Sequence, residues 1–230
     1  MELQVPEGTI LSVVVGSRAY GLDTDDSDVD RRGVFVAPTE AFWRLDKPPE
    51  HVEGPMPEQF SWEVERFCVL ALAANPTVLE CLWSPIVERA LPVGEELRGM
   101  RRAFLSRKAV DACAEYAGRQ FRRLGGSTRG DGGAPAGKDA RAGKMAMHAL
   151  RLLLCAVHLA RHGEPLVRVD GHRDRLLAVR RGETPWPDVT RWRDELLADL
   201  DGTRTGVALP ERPDREAVEA FLAGARRSAL

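Results

Sequence analysis

Two apolar runs, Ile10 to Val15 and Val34 to Val36, bracket a polar passage that holds Gly16-Ser17-Arg18-Ala19-Tyr20-Gly21 and then Asp28-Val29-Asp30. The pattern predicts a strand, a tight Gly-Ser turn, a short acidic segment and a second strand. Side chains alternate along a strand, so Asp28 and Asp30 are expected on one face, where two carboxylates can share a cation cluster. Glycine at position 16 lets the backbone turn sharply and approach a bound group, and the amides around Ser17 can then grip phosphate oxygens. Arg18, beside Ser17, is a further candidate phosphate contact. A phosphate grip followed by a carboxylate pair is the equipment of metal-assisted phosphoryl or nucleotidyl transfer.

A solvated turn, a calcium loop and a dinucleotide-binding turn compete for the same residues. The run Asp23-Thr24-Asp25-Asp26-Ser27-Asp28 is typical of solvated turns. A calcium loop counted from Asp23 fails on spacing, because its sixth position is Asp28 instead of glycine and its twelfth is Val34 instead of glutamate. Gly16 and Gly21 lack the middle glycine of a dinucleotide-binding turn.

Downstream, Glu58 to Trp62 reads as a third strand with Glu58, Phe60 and Trp62 on one face. Val64, Phe67, Cys68, Ala71 and Leu72 then form a helical stripe that Asn75-Pro76 ends. A second short helix is expected around Val78 to Trp83. Pro38 to Pro57 carries five prolines and reads as an irregular connection. From about Glu95 helical patterns take over: a helix through Val110 to Phe121, a long one from about Asp139 to Arg161, and others at Arg173 to Arg181, Val189 to Leu200 and Asp214 to Arg227. Asp214 is placed to cap the last of these. Gly125 to Gly143 holds seven glycines and reads as a flexible loop or a substrate lid. The expected architecture is α+β: a small mixed-sheet domain over residues 1–97, followed by an all-helical domain over 98–230.

Charge divides along the same line. Residues 1–97 carry 7 Lys+Arg against 18 Asp+Glu, and residues 98–230 carry 26 against 17. An acidic half concentrates divalent cations and a basic half receives an anionic substrate, although the two halves could equally serve to attract each other. With 43% hydrophobic and 30% charged residues, the composition is that of a soluble globular protein. The absence of a long apolar run or an apolar leader argues against membrane insertion or secretion, and the expected compartment is cytoplasmic. Cys68, Cys81, Cys113 and Cys155 lie far apart in apolar helical contexts, which points to reduced core thiols.

Gly16-Ser17, with Asp28-Val29-Asp30 starting eleven residues after Ser17, resembles the signature of the DNA polymerase β-like nucleotidyltransferase superfamily. The fuller string, through Arg32-Gly33-Val34-Phe35-Val36, is similar to a bacterial and phage branch associated with RNA repair. The likeness continues in Trp62 to Phe67, in Asn75 to Glu80, and in Lys144 with His148 and Arg151, and weakens after about Val169.

The resemblance implies a polymerase β-like palm domain in which Asp28 and Asp30 bind two magnesium ions, with manganese as an alternative. It also implies that Ser17 and the Gly16 amide contact the β- and γ-phosphates of a nucleoside triphosphate. Superfamily members use a third carboxylate on a later strand. Glu58 is the candidate, glutamate standing where the branch usually shows aspartate, and Glu63 is the fallback.

Lys144, His148 and Arg151, at i, i+4 and i+7, share one helix face that is either an ordinary solvated face or, as the resemblance implies, a nucleotide-binding stripe. Tyr116 and Gln120 match the branch loosely and would contact base or sugar, or pack.

Three functions follow in order of preference. The first is a nucleotidyltransferase acting on an RNA or tRNA end, a protein side chain or a small alcohol. The second is a catalytically inactive nucleotide-binding regulator. The third, an RNA-binding interaction protein, lacks the aromatic stacking platforms such proteins use.

Overall fold

Thr9–Val15 (β1) is buried along its whole length and forms the spine of a mixed sheet. The computed structural model describes residues 3–126, 140–203, 206 and 208–230. Their contacts gather into two units, Met1–Ser106 with Arg212–Leu230, and Arg107–Glu211.

In the first unit β1 runs directly into a one-turn helix, Gly16–Tyr20 (α1). The chain returns through Asp30–Phe35 (β2), which lies antiparallel to β1 with Val15 opposite Asp30. His51–Glu53 (β3) and Gln59–Glu63 (β4) follow. β4 lies parallel to β2, with Arg31 opposite Gln59 and Phe35 opposite Glu63. Val64–Leu72 (α2) and Pro76–Trp83 (α3) come next. Ile86–Ala90 (β5) then pairs antiparallel on the outer side of β1, giving the order β3-β4-β2-β1-β5. Pro92–Gly99 (α4) and a 3-10 turn at Arg101–Phe104 complete this part.

Local chemistry sets most of these boundaries. Gln59, Ser61 and Glu63 are buried on one face of β4 while Phe60 and Trp62 share the other, their rings edge-on at 4.9 Å. Asn75 caps α3 by accepting from the Thr77 and Val78 amides, and Pro76 occupies a first-turn position where its missing N–H costs nothing.

The second unit is helical: Arg107–Gly126 (α5), Ala140–His162 (α6), Arg173–Arg180 (α7) and Trp186–Thr203 (α8). α6 packs on the other three and is apolar almost all round, with Leu150, Leu152, Leu153 and Cys155 buried. Arg215–Arg227 (α9) belongs to the first unit, capped by Asp214 as its sequence suggests.

The expected α+β class holds, with three changes. The helical run from residue 98 onward is not one body. The chain re-enters the first unit where the Asp214 amide donates to the Ala103 carbonyl, and α9 packs there on α2 and on the 3-10 turn. The proline-rich connection contains β3, and β5 is an additional strand. Both are short edge strands whose half-exposed residues carry little apolar alternation. The Gly-Ser turn is a turn of helix. Most of the glycine-rich stretch, residues 127–139, lies outside the described residues. No single helix among the described residues is long and apolar enough to cross a membrane.

Candidate functional site

The end of β1 delivers Gly16 with φ +70°, a left-handed conformation that suits glycine and strains other residues. A Cβ at this position would lie 2.2 Å from Asp30 Oδ2, so the Asp30 carboxylate is seated directly against the Gly16 backbone. The expected meeting of glycine bend and acid is therefore present for Asp30. α1 continues through Ser17 and Arg18 and ends at Gly21, also left-handed, while the Leu22 amide donates to the Ser17 carbonyl at 2.8 Å.

Asp28 does not lie on the strand expected for it. β2 starts at Asp30, and Asp28 lies before it, exposed. The preceding residues fold into a turn in which the Ser27 amide donates to the Thr24 carbonyl and the Thr24 amide to Ser27 Oγ, both at 2.9 Å. Arg18 holds that turn, donating from Nη2 to the Ser27 carbonyl at 2.8 Å and from Nε to the Asp28 carbonyl at 3.3 Å. Arg18, expected as a phosphate contact, thus ties the acidic segment to α1.

Glu58 precedes β4 with a left-handed φ of 52° and an exposed side chain. Its carbonyl accepts from the Arg31 amide at 2.9 Å and from Arg32 Nη1 at 3.0 Å. Glu58 therefore stands beside the start of β2, at the Asp30 end of the parallel pair. Glu63 stands at the other end, opposite Phe35. Five residues of strand separate the two positions, roughly 16 Å at the usual rise. Its carboxylate accepts from the Glu65 amide at 2.8 Å, capping α2, and from Arg226 Nη1 and Nη2 at 2.6 and 2.9 Å. The fallback for the third carboxylate is accordingly a structural ion pair.

The residues proposed for nucleotide contact from α5 and α6 all lie in the second unit. Tyr116 and His148 meet edge-on, ring centroids 6.4 Å apart, and the Arg119 guanidinium lies 5.1 Å above the Tyr116 ring. Lys144 is exposed, while Gln120 and His148 are half-buried. Arg151 departs from the expected stripe: it is 1% exposed, because α6 is enclosed along that stretch. The face is a graded one, open at Lys144 and closed at Arg151.

Several polar residues gain partners in the fold that the sequence did not suggest. The Tyr20 hydroxyl donates to Glu80 Oε2 at 2.6 Å within the core. Arg31 Nε donates to both carboxylate oxygens of Glu88 across β1, at 3.1 and 3.0 Å. Partners so distant in sequence leave no periodic signal. All four cysteines are buried thiols, as expected. Burial, reinforced by Glu80, pushes the Cys81 thiol up to about 12; burial and Glu63 do the same for Cys68. Neither is a nucleophile at neutral pH.

Among the described residues no three acidic, histidine or cysteine side chains come together as a metal cage, so Asp28, Asp30 and Glu58 do not form a closed cluster. What these strand ends offer is an exposed carboxylate, a half-buried one against Gly16, and a third on the adjoining strand entry. Hard, open oxygen donors of this kind suit magnesium, which keeps waters and uses one or two carboxylates together with substrate phosphates.

A family model described as the RNA repair pathway DNA polymerase beta family matches residues 2–223. The chain is also similar to the uncharacterized protein YcgL of Bacillus subtilis (strain 168), 32% identical over 96 residues. That stretch makes up 40% of this chain and 37% of the relative, so the match spans well under two thirds of the relative's length. No solved structure matches.

Proposed function

Because the chain belongs to the RNA repair pathway DNA polymerase beta family, we propose that it is a magnesium-dependent nucleotidyltransferase. It moves a nucleoside monophosphate from a nucleoside triphosphate to an acceptor hydroxyl, with an RNA end as the preferred acceptor, and releases pyrophosphate. The observation that supports this most directly is the Asp30 carboxylate packed against the left-handed Gly16 that opens α1. The proposed phosphate grip and this acid thereby adjoin where β1 ends and β2 begins.

In this reading Asp28 and Asp30 hold the magnesium, and Glu58 joins them from the entry to β4. Magnesium held by these residues would neutralise phosphate charge and lower the pKa of the attacking hydroxyl. Gly16 and Ser17 orient the β- and γ-phosphates through backbone amides and the serine hydroxyl. Arg18 keeps the Asp28 segment beside α1. Lys144, His148, Tyr116 and Gln120, on α5 and α6, are carried as nucleotide contacts by the family likeness alone.

Each α-labelled triphosphate incubated with cellular RNA, and in parallel with cellular protein, is expected to label RNA with release of pyrophosphate. Asp28→Asn combined with Asp30→Asn should abolish that release while circular dichroism stays unchanged. Wild-type turnover by the double variant would remove the metal role from these residues.

The open arrangement of Glu58 favours one alternative, a nucleotide-binding regulator without chemistry. Such a protein would bind magnesium and triphosphate in a calorimeter and yield no pyrophosphate with any acceptor.

A further inference from the structure

Among the described residues, the shortest α-helix of the first unit is the one that carries the proposed phosphate grip. Five residues are too few for a helix to sustain itself, and among the described residues no side chain caps the N-terminus of α1. Its position must come from what it packs against. Ala19, Tyr20 and Leu22 are buried, and the Tyr20 hydroxyl donates to Glu80 at 2.6 Å, the length of a charge-assisted O–H···O bond. Glu80 is 4% exposed and lies on α3. One turn further along, at the end of the same helix, Ser84 Oγ donates to the Val14 carbonyl at 2.5 Å and accepts from the Ile86 amide at 3.2 Å. The chain is thus fastened to α3 on both sides of the bend: at Val14, just before Gly16, and at Tyr20, just after Ala19. Gly16, Ser17 and Arg18 lie within the span between the two fastenings.

We infer that Glu80 and Tyr20 form a positioning pair that sets where the Gly16-Ser17 backbone meets the triphosphate. Neither residue touches substrate. Packing alone could be met by phenylalanine at 20 and an uncharged residue at 80. A buried carboxylate and hydroxyl bonded to each other instead define one geometry, since displacing α1 would break that bond inside the core. The inference rests on the proposed nucleotidyltransferase function and adds to it the pair that governs substrate affinity.

The test uses the full chain with Tyr20→Phe, with Glu80→Met and with both, each close in size to the residue it replaces and each lacking its half of the bond. Steady-state kinetics with magnesium and the preferred triphosphate, and calorimetry with a non-hydrolysable analogue, are compared with wild type. KM and Kd are expected to rise about tenfold in each single variant, with kcat changed less than about threefold, because the grip is displaced while the acids stay in place. The double variant is expected to lose less than the two single losses multiplied together, since both lack the shared bond. Arg226→Met, which loosens the first unit at a distance, serves as control and should leave KM unchanged. Wild-type KM and Kd in both single variants, or a matching KM rise in Arg226→Met, would overturn the pairing. If the wild-type chain itself neither binds nor consumes any of the four triphosphates, the functional reading fails first and the inference falls with it. That outcome is distinguishable because it shows in the unmutated protein.

Discussion

A single hydrogen atom at position 16 keeps the candidate site open. Alanine there would face both a left-handed φ and a contact of 2.2 Å with Asp30 Oδ2, so Gly16→Ala has to move either the turn or the acid. The conformational cost is about 1 kcal/mol, small for the fold, whereas displacement of the reacting groups is expected to cost about a hundredfold in turnover. Pyrophosphate release measured beside a denaturation curve separates the two effects; full activity in Gly16→Ala would disconnect the bend from the chemistry. The glycine and Asp30 were legible in the sequence because a strand-turn-strand pattern is local. Arg18 gains a structural role that the sequence did not suggest, since only the folded turn at Thr24–Ser27 reveals that its Nε and Nη2 donate to the Asp28 and Ser27 carbonyls.

Among the secondary-structure elements, α9 shows the greatest distance between sequence and consequence. Arg226 binds both oxygens of the 3% exposed Glu63, and its guanidinium lies 4.0 Å from the Phe42 ring centroid. Removing one partner of a buried pair strands the other charge, so Arg226→Met should destabilise the first unit by about 3 kcal/mol, read from urea unfolding. A change below about 0.5 kcal/mol would reduce the pair to a surface contact.

On α6, burial in the first place and His162 in the second hold the His158 pKa below its ordinary value, with Glu164 opposing. A histidine with a lowered folded pKa leaves the unfolded chain to take the proton first. Stability present above about pH 6.5 is therefore lost as pH falls through the folded value. Unfolding midpoints between pH 7.5 and 5 should decline less steeply in His158→Gln; parallel slopes in the two proteins would exclude this residue as a contributor.

The whole chain is a discontinuous unit with a second unit inserted between residues 106 and 212. Deleting residues 212–230 removes α9 from the first unit and leaves α5 to α8 with all their residues. Hydrogen exchange is expected to accelerate in α2 and the Arg101–Phe104 turn while protection in α6 persists; uniform loss of protection would mean the units fold as one. Residue order alone already specified the strands around Gly16 and Asp30, the amphipathic helices, the break at Asn75-Pro76 and the cap at Asp214, because those signals act within about one helical turn or one strand pair. The insertion, the edge strands β3 and β5, the burial of Arg151, and the partnerships of Tyr20 with Glu80 and Glu63 with Arg226 emerged only from the folded chain. They join residues 60 and 163 positions apart. Such pairs are selected by the packing of a completed core, and neither hydrophobic period nor capping preference extends that far along a chain.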